Sequence, residues 1–280
     1  SGGSIQDRYN RIWSHRWSIR SATSRQWGNW TDQALALKVL SDGGYETSTP
    51  APGGGFIKIN DYTIQGVVDC SALNPNTIGV VAHELGHGFG LPDLYNTGDT
   101  YSHSGIGTWG LMGSGSWGCD SRSPGRPCHM SAWSKSVLGW ADEEVILPGT
   151  DPATLTLPPV ETSGKIYRID AGDGSGEYLL LENRQKMRFD QNLYEPGLLI
   201  WQVDPEWVTY HPYSVNANPN HMGVWLRQAD GLNELGTNNG GRGDAGDPFP
   251  GSEGNTAFHA ATTPSSWTHG GDPFGATITD

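Results

Sequence analysis

Two segments in the first half of the chain combine apolar and polar residues with the period of a helix. Residues 31–41 have this spacing, with Thr31 as the N-cap and Gly43-Gly44 as the end of the helix. A second helix is expected to begin at residue 76 or 77 and to end at Gly90. The first half therefore contains at least two predicted helices.

Strand-like runs occur between these helices and dominate the chain beyond residue 150. Phe56–Ile59 and Tyr62–Val68 are the two runs in the first half. Five further runs are separated by turn-forming residues: Ala153–Leu157, Lys165–Ile169, Tyr178–Glu182, Leu198–Val203 and Gly223–Gln228. The Pro- and Gly-containing stretch 148–152 predicts a boundary. We predict an α+β fold, with one domain over residues 1–150 and a β-rich, sandwich-like portion over residues 151–280.

The charge balance and the length of the apolar runs exclude two classes of partner. The 280 residues carry 17 basic and 30 acidic groups, a formal net charge of −13, whereas nucleic-acid-binding proteins cluster Lys and Arg against phosphates. The longest apolar runs, such as Ile78–Ala82, have about five residues, and a membrane-spanning helix needs about 20. We expect neither a nucleic acid partner nor membrane insertion.

The second predicted helix contains two histidines four residues apart. At about 100° per residue, His83 and His87 lie about 40° apart on one side of the helix. Zinc binds such a pair of imidazoles. The opposite side is apolar and is expected to pack into the core; it consists of Ile78, Val81, Ala82, Leu85 and Phe89.

Gly90 and Asp93 follow this helix at positions that complete a metal site. A glycine at the helix end permits left-handed backbone, so that the chain can turn back. Asp93 is then the third predicted zinc ligand beside His83 and His87, and three protein ligands leave a fourth position for water, as in catalytic zinc sites. Glu84 is predicted to be the general base toward the zinc-bound water. An ordinary buried helix with hydrogen-bonded histidines is the alternative, but it does not account for Gly90 and Asp93.

The segment from His83 to Asp93 resembles the extended zinc motif of metzincin-like peptidases, with Asp in place of the usual third His. Together with Leu91–Tyr95 and Gly107–Trp117, it resembles the immune inhibitor A family of secreted bacterial zinc metallopeptidases. The resemblance implies a zincin-like, metzincin-like catalytic core over residues 1–150. It also places Met112 in a tight turn beneath the zinc, whereas a methionine judged alone is more often a core residue that fills gaps.

The same resemblance bears on the partners of the chain. Family members usually have strands upstream of the segment that corresponds to Ile12–Trp17. Before His83 we find only two convincing strands, and a sheet of two strands is marginal. An N-terminal segment of the chain's own precursor is therefore an expected partner.

Cys119 and Cys128 flank a loop rich in proline and glycine that can turn back on itself. We predict a disulfide between them, with Cys70 free or paired outside this chain; three reduced buried thiols are the alternative. A disulfide places the protein outside the cytosol, in agreement with secretion.

Two acidic segments are candidates for calcium, since Ca²⁺ prefers oxygen ligands. Asp244 and Asp247, beside Pro248 in a glycine-rich stretch, are the first candidate. Asp170–Glu177 is the second, although its position between two predicted strands favours a plain hairpin turn.

Taken together, these features predict a secreted zinc endopeptidase that hydrolyses peptide bonds of extracellular proteins. Zinc is the expected cofactor, calcium a further one, and proteins or peptides are the expected substrates. Tyr95, Tyr101 and His103 are nearby candidates for a donor to the tetrahedral intermediate, and the sequence does not select among them. Two alternatives are a peptidase restricted to glycosylated or mucin-like proteins and a secreted binding module in which zinc is purely structural.

Overall fold

The computed structural model describes residues 14–26, 33–66, 76–98, 100–147, 154–237 and 241–279. The chain divides into two compact units, Ser1–Thr77 with Glu84–Gly90 and Ile78–His83 with Leu91–Asp280. Helices and strands are mixed, and strands predominate in the second half, as predicted. None of the helices in the described ranges is long and apolar enough to cross a membrane.

In its described residues, 14–26, 33–66 and 76–77, the first unit has two helices of its own and two small antiparallel pairs of strands. The helices are α1 (Ile19–Gln26) and α2 (Gln33–Asp42), and the strands are β1 (His15–Ser18), β2 (Tyr45–Pro50), β3 (Phe56–Ile59) and β4 (Asp61–Ile64). β1 pairs with β4, and β2 pairs with β3. The helix predicted over residues 31–41 is thus present as α2, and the strand predicted from Tyr62 ends at Ile64. Thr31 and Cys70 lie outside the described residues.

The second unit is built around one five-stranded sheet. Its strands, in spatial order, are β5 (Asp142–Ile146), β6 (Lys165–Asp170), β7 (Tyr178–Arg184), β8 (Gly197–Val203) and β9 (Val224–Leu226). β5 runs parallel to β6, and the other neighbouring pairs are antiparallel. Four of the five runs predicted beyond residue 150 overlap one of these strands. The exception is residues 154–157, which form no strand; there the carbonyl of Thr156 accepts a hydrogen bond from the hydroxyl of Tyr167.

Shorter elements surround this sheet. They are the helices α3 (Ile78–Gly88), which is shared between the two units, α4 (Ala132–Val137), α5 (Val160–Ser163) and α6 (Pro205–Tyr210), the strand pair β10 (Ala257–Phe258) and β11 (Ile278–Thr279), and 3₁₀ turns at Gly107–Trp109, Ser114–Trp117, Arg188–Asn192 and Glu234–Gly236. Residues 148–153, where a boundary is predicted, lie outside the described residues. The division at residue 150 and the sandwich-like packing behind it stay predictions.

Alternate residues of the central strands β7 and β8 enter two hydrophobic clusters. Leu180 and Trp201 belong to one cluster, and Leu179 and Ile200 belong to the other, because successive side chains of a strand point to opposite faces. Since both faces are covered, these runs are continuously apolar instead of alternating with polar residues.

Helix α3 matches the second predicted helix, but its buried side differs from the prediction. Three of the apolar residues expected in the core are exposed: Ile78 (53%), Leu85 (47%) and Phe89 (57%). The helix is closely packed at Gly79 instead. The Gly79 N–H donates to the carbonyl of Pro124 at 3.0 Å, and a Cβ at this position would lie 1.9 Å from the carbonyl oxygen of Ser116. Backbone meets backbone here, which leaves no room for an apolar side chain.

Cys119 and Cys128 form a disulfide bond, as predicted. Both cysteines are buried. The N–H of Cys128 donates to the carbonyl of Gly115 at 2.9 Å, and the N–H of His129 donates to the carboxylate of Asp190 at 2.8 Å. The bridge therefore closes a loop, residues 119–128, whose far end is also fastened by hydrogen bonds.

Candidate metal centre

Helix α3 and the segment after it bring His83, His87 and Asp93 together. One ring nitrogen of each histidine and one carboxylate oxygen of Asp93 lie within 4.8 Å of one another. Nε2 of His83 is 3.1 Å from Oδ1 of Asp93. Two ligands of a tetrahedral zinc ion, each about 2.0–2.1 Å from the metal, lie about 3.3 Å apart. The donor set therefore fits zinc in its chemistry and in its spacing.

The tautomer of His83 follows from the partner of its other ring nitrogen. Nδ1 lies 2.9 Å from the main-chain oxygen of Leu111. Because a carbonyl only accepts, Nδ1 carries the proton and Nε2 keeps the lone pair that a metal needs. A partner of this kind behind a histidine ligand orients the ring and raises its basicity. The ring also stacks on Tyr95, with the two centroids 6.2 Å apart.

The chain leaves α3 through a turn that leads to Asp93. Gly90 has φ = +95°, in the left-handed region that favours glycine, and its N–H donates to the carbonyl of His87 at 3.0 Å. Leu94 is fully buried, and its N–H donates to the carbonyl of Met112 at 2.8 Å. The backbone next to Asp93 is therefore held by residue 112.

Met112 is buried and contributes a main-chain atom to the support of the centre. The carbonyls of Leu111 and Met112 are successive along the chain; the first orients His83, and the second holds Leu94 beside Asp93. Any residue type would offer these carbonyls, so side-chain patterns carry no signal for them. The position of the Met112 side chain beneath a zinc ion stays a prediction.

Glu84 follows His83 on α3 and is also buried. At about 100° per residue, the side chain of Glu84 projects from the helix in a different direction from those of the two histidines. Glu84 is therefore close in sequence to the ligands without sharing their side of the helix. Its role as general base stays a prediction.

The three candidate donors to a reaction intermediate have different surroundings. Tyr95 lies against the ring of His83. His103 has its Nε2 atom 3.4 Å from the carbonyl of Ala217, and Tyr101 lines a cavity that also contains Trp207. Of the three, Tyr95 is the residue whose contact with the candidate ligands is direct.

Buried charged residues hold the segment that contains Leu111. Nη1 of Arg184 donates to the carbonyl of Trp109 at 3.0 Å, and the N–H of Leu111 donates to the carbonyl of His129 at 3.2 Å. Arg184 is fully buried, and its Nε donates to Asp190 at 2.7 Å. Asp190 also accepts from the N–H of His129. Strand β7, through Arg184, thus fixes the backbone that orients a candidate ligand.

The same buried network includes Lys135, Glu182 and Glu161. Nζ of Lys135 donates to Glu182 at 2.7 Å, and Glu161 lies 3.6 Å from Nε of Arg184. Burial raises the pKa of Glu161 to about 7. Burial, together with the charges of Lys135 and Arg184, lowers the pKa of His129 to about 4. Near pH 6, Glu161 and His129 are therefore neutral. The cations Lys135 and Arg184 are then balanced by the carboxylates of Glu182 and Asp190.

The two aspartates predicted to bind calcium have different surroundings. Asp247 is fully buried; one oxygen accepts from the indole of Trp109 at 2.6 Å and from the N–H of Asp244 at 2.8 Å, and the other accepts from Gln228. Burial raises the pKa of Asp247 to about 6. Asp244 instead has a carboxylate oxygen within 4.8 Å of those of Asp230 and Glu234. Calcium binding by Asp244 and Asp247 stays a prediction.

The segment Asp170–Glu177 is a hairpin turn, the alternative to a second calcium loop. β6 and β7 are antiparallel, and Asp170 lies opposite Tyr178. Within the turn, the carboxylate of Asp173 accepts hydrogen bonds from the N–H and the hydroxyl of Ser175 at 2.9 and 2.6 Å. These local hydrogen bonds are typical of a polar turn and account for Asp173 and Ser175.

Known proteins match about half of the chain. Residues 1–141 match the family model described as immune inhibitor A peptidase M6, catalytic domain. The pre-pro-metalloprotease PrtV of Vibrio cholerae serotype O1 is 34% identical over 127 residues, which are 45% of this chain and 11% of that protein. Immune inhibitor A of Bacillus thuringiensis subsp. alesti is 32% identical over 116 residues, which are 41% of this chain and 13% of that protein. The matches thus span 11–13% of the length of these relatives.

Proposed function

The chain belongs to the immune inhibitor A peptidase M6 family, and from this premise we propose that it is a secreted zinc endopeptidase acting on extracellular proteins. Its similarity to a metalloprotease and to immune inhibitor A supports a metallopeptidase activity. The observation that carries the proposal is the 3.1 Å spacing of His83 Nε2 and Asp93 Oδ1, with a ring nitrogen of His87 in the same cluster.

His83, His87 and Asp93 would hold the zinc ion. When bound, zinc would act as a Lewis acid on the scissile carbonyl and make water a stronger nucleophile. Leu111 contributes its carbonyl, which keeps the proton of His83 on Nδ1 and leaves Nε2 for the metal.

Glu84 is proposed to move the protons of the reaction. Its carboxylate would accept a proton from the attacking water and deliver it to the leaving amine, which is general base and then general acid catalysis. Its burial supports this role, because a carboxylate screened from bulk water interacts more strongly with a reacting group.

The proposal also covers the fold around the metal site and the compartment of the protein. We assign residues 1–150 to a zincin-like core of metzincin type, with Met112 beneath the zinc. Secretion is supported by the Cys119–Cys128 disulfide, since such bonds persist in oxidising compartments.

The test compares the wild-type chain with Glu84→Gln and with Glu253→Gln, an exposed glutamate that serves as the control. Zinc content and cleavage of unfolded casein and of a mucin-type glycoprotein are measured for each protein. Glu84→Gln should keep the zinc content and the fold but lose activity by about 10²–10⁴-fold, whereas the control should match the wild type.

Each outcome of this experiment has a distinct meaning. Near wild-type cleavage by Glu84→Gln would show that Glu84 is not the general base. A zinc-loaded wild type that cleaves neither substrate would indicate a binding module with structural zinc. Cleavage of the glycoprotein alone would indicate a peptidase restricted to glycosylated proteins.

A further inference from the structure

A cavity of about 270 Å³ lies in the second unit, between the segment that follows Asp93 and the region of helix α6. Tyr101 lines it from the first side, and Trp207, His211 and Ala217 line it from the second. The lining residues are exposed or half-buried, so the cavity is open to solvent. None of them belongs to the candidate metal centre.

The cavity is joined to the candidate metal centre by a short piece of backbone. Asn216 is fully buried, and its Nδ2 atom donates to the carbonyl of Leu94, the residue after Asp93, at 3.0 Å. Gly98, which also lines the cavity, follows Asp93 by five residues. Five residues span at most roughly 18 Å. One bound peptide can therefore reach both the metal centre and the cavity.

Trp207 forms a rigid wall of the cavity. The rings of His211 and His221 stack on its indole, with centroids 3.9 and 4.0 Å from that of Trp207. Two rings cannot lie this close to one centroid on the same face, so each covers one face and the cavity meets an edge of the indole. Asp204 fixes the arrangement, since Oδ1 accepts from the N–H of Trp207 at 2.9 Å and Oδ2 lies 2.8 Å from Nε2 of His221. The wall is therefore formed before a ligand binds.

The opposite wall is shaped by hydrogen bonds of Asn96 and Thr97. The amide of Asn96 donates to the carbonyl of Tyr101 and accepts from the N–H of Gly98, the second bond being 2.8 Å long. The hydroxyl of Thr97 donates to the carbonyl of Tyr213 at 2.8 Å. These bonds fasten the segment after Asp93 to the loop after α6, so both walls keep their spacing.

The size and the chemistry of the cavity fit one aromatic side chain. A cavity of about 150 Å³ is enough to hold benzene, and this one is larger. Aromatic rings attract one another edge to face, which suits the exposed edge of the Trp207 indole. The described residues that line the cavity include no Lys, Arg, Asp or Glu. A charged side chain would therefore lose its water without gaining an opposite charge.

We propose that this cavity is a subsite that receives an aromatic side chain of the substrate, within about five residues of the bond that is cleaved. The proposal rests on the peptidase activity proposed above. Trp207 and Tyr101 then contact the bound ring, and the small side chain of Ala217 leaves room for it. These three residues determine which peptide segments are cleaved, and they take no part in the chemical step.

The first experiment measures which bonds the wild-type chain cleaves in a mixture of peptides. Phe, Tyr and Trp should be favoured over Ala at one position near the cleaved bond, and two peptides that differ only there are then compared. Ala217→Leu fills the cavity and should lower kcat/KM for the aromatic peptide about 10–100-fold relative to the alanine peptide. Ala261→Leu, at an exposed alanine that does not line the cavity, should leave this ratio unchanged.

Tyr101→Ala keeps the test decisive if Ala217→Leu does not fold. Tyr101 is 40% exposed, and its bond to Asn96 uses the main chain, which the variant retains. Loss of the ring should lower the ratio of the two kcat/KM values about 2–10-fold, whereas Tyr101→Phe should keep it. A catalytic role of the Tyr101 hydroxyl would instead lower both values equally and leave the ratio unchanged.

Binding of N-acetyltyrosine amide, detected by NMR of the ligand, tests the cavity without cleavage. The amide should bind wild type and Ala261→Leu better than N-acetylleucine amide or N-acetylgalactosamine does, and it should bind Ala217→Leu less well. If this pattern is found in a chain that cleaves no peptide, the proposed activity fails and the aromatic site stands.

Three results would overturn the proposal. The first is an active chain without an aromatic preference near the cleaved bond. The second is a preference that neither Ala217→Leu nor Tyr101→Ala changes. The third is a folded chain that does not bind N-acetyltyrosine amide, or that binds the sugar or the leucine amide equally well.

Discussion

At the scale of single residues, the carboxyl group of Glu161 makes the buried network sensitive to pH. Its pKa is about 7 in the folded protein, against a usual value of 4.5. Between these values the folded state binds more protons than the unfolded state. The contribution of Glu161 to stability is therefore complete in acid and is lost as the pH rises through about 7.

Glu161→Gln should remove this loss. The amide oxygen can still accept from the N–H of Gln185, as the carboxylate does at 2.8 Å, and the neutral side chain imitates protonated Glu161 beside Arg184. We expect the variant to match the wild type near pH 5 and to gain on the order of 1–3 kcal/mol relative to it by pH 8. Urea unfolding at both pH values measures the difference.

The lowered pKa of His129 changes the stability with pH in the opposite direction. The Glu161→Gln variant and the wild type are therefore compared at the same pH, because both contain His129. His129 is protonated less readily in the folded state, so its contribution to stability grows as the pH rises from about 4 to its usual pKa of 6.5. Glu253→Gln serves as the exposed control. A constant difference between Glu161→Gln and wild type across the range would contradict the assigned pKa.

Side chains with strong local patterns could be predicted, and their main-chain partners could not. His83, His87 and Asp93 follow from helical spacing and a turn. The carbonyl of Leu111 has no sequence signal, because every residue has one. The partners of Asp247 had no sequence signal either: its oxygens accept hydrogen bonds from Trp109 and Gln228, which lie far from it along the chain.

At the scale of elements, α3 shows what an amphipathic pattern can and cannot predict. The spacing correctly indicates a helix and places the two histidines on one side of it. The spacing does not predict which side of α3 packs against other segments of the chain. In the structure that side is formed by the backbone at Gly79, which lies against Ser116 and Pro124.

Two glycines of α3 provide a matched pair of substitutions. Gly79→Ala would place a Cβ 1.9 Å from the carbonyl oxygen of Ser116, so the backbone must move, and we expect a loss of about 2 kcal/mol or more. A Cβ at Gly88 meets no atom within 4 Å among the described residues, and alanine favours helix, so Gly88→Ala should be neutral or up to about 1 kcal/mol more stable.

Urea unfolding of the two variants measures both values. Gly79→Ala should lower the free energy of unfolding but leave the helix content nearly unchanged, because the helix itself tolerates alanine. Equal stability of the two variants would mean that α3 does not lie against residues 116 and 124 in solution.

At the scale of the whole molecule, the Cys119–Cys128 bridge links the stability of the protein to its compartment. Closing a loop of about ten residues lowers the entropy of the unfolded chain, which corresponds to about 3 kcal/mol. The variant with Cys119→Ala and Cys128→Ala should therefore melt several degrees below the wild type. A reducing agent should lower the wild type to the same temperature and leave the variant unchanged; a reductant effect on the variant would point to another bond.

Most of the segments that form the strands of the sheet could be predicted, but the way in which the strands pair could not. The runs Tyr178–Glu182 and Leu198–Val203 lie within β7 and β8, since apolar strands buried on both faces have a clear local signal. The parallel pairing of β5 with β6 joins segments on either side of residues 148–153. Such a pairing depends on contacts between distant segments, which local spacing does not encode.

The buried charged residues set the order in which the structure can be completed during synthesis. The carbonyl of Trp109 accepts from Arg184, and Lys135 donates to Glu182. Both partners belong to β7, which leaves the ribosome later. Until then the segment around Leu111 lacks the hydrogen bond from Arg184, and the ammonium group of Lys135 lacks its carboxylate partner. The backbone support of the proposed metal centre is therefore completed only after β7 has been translated.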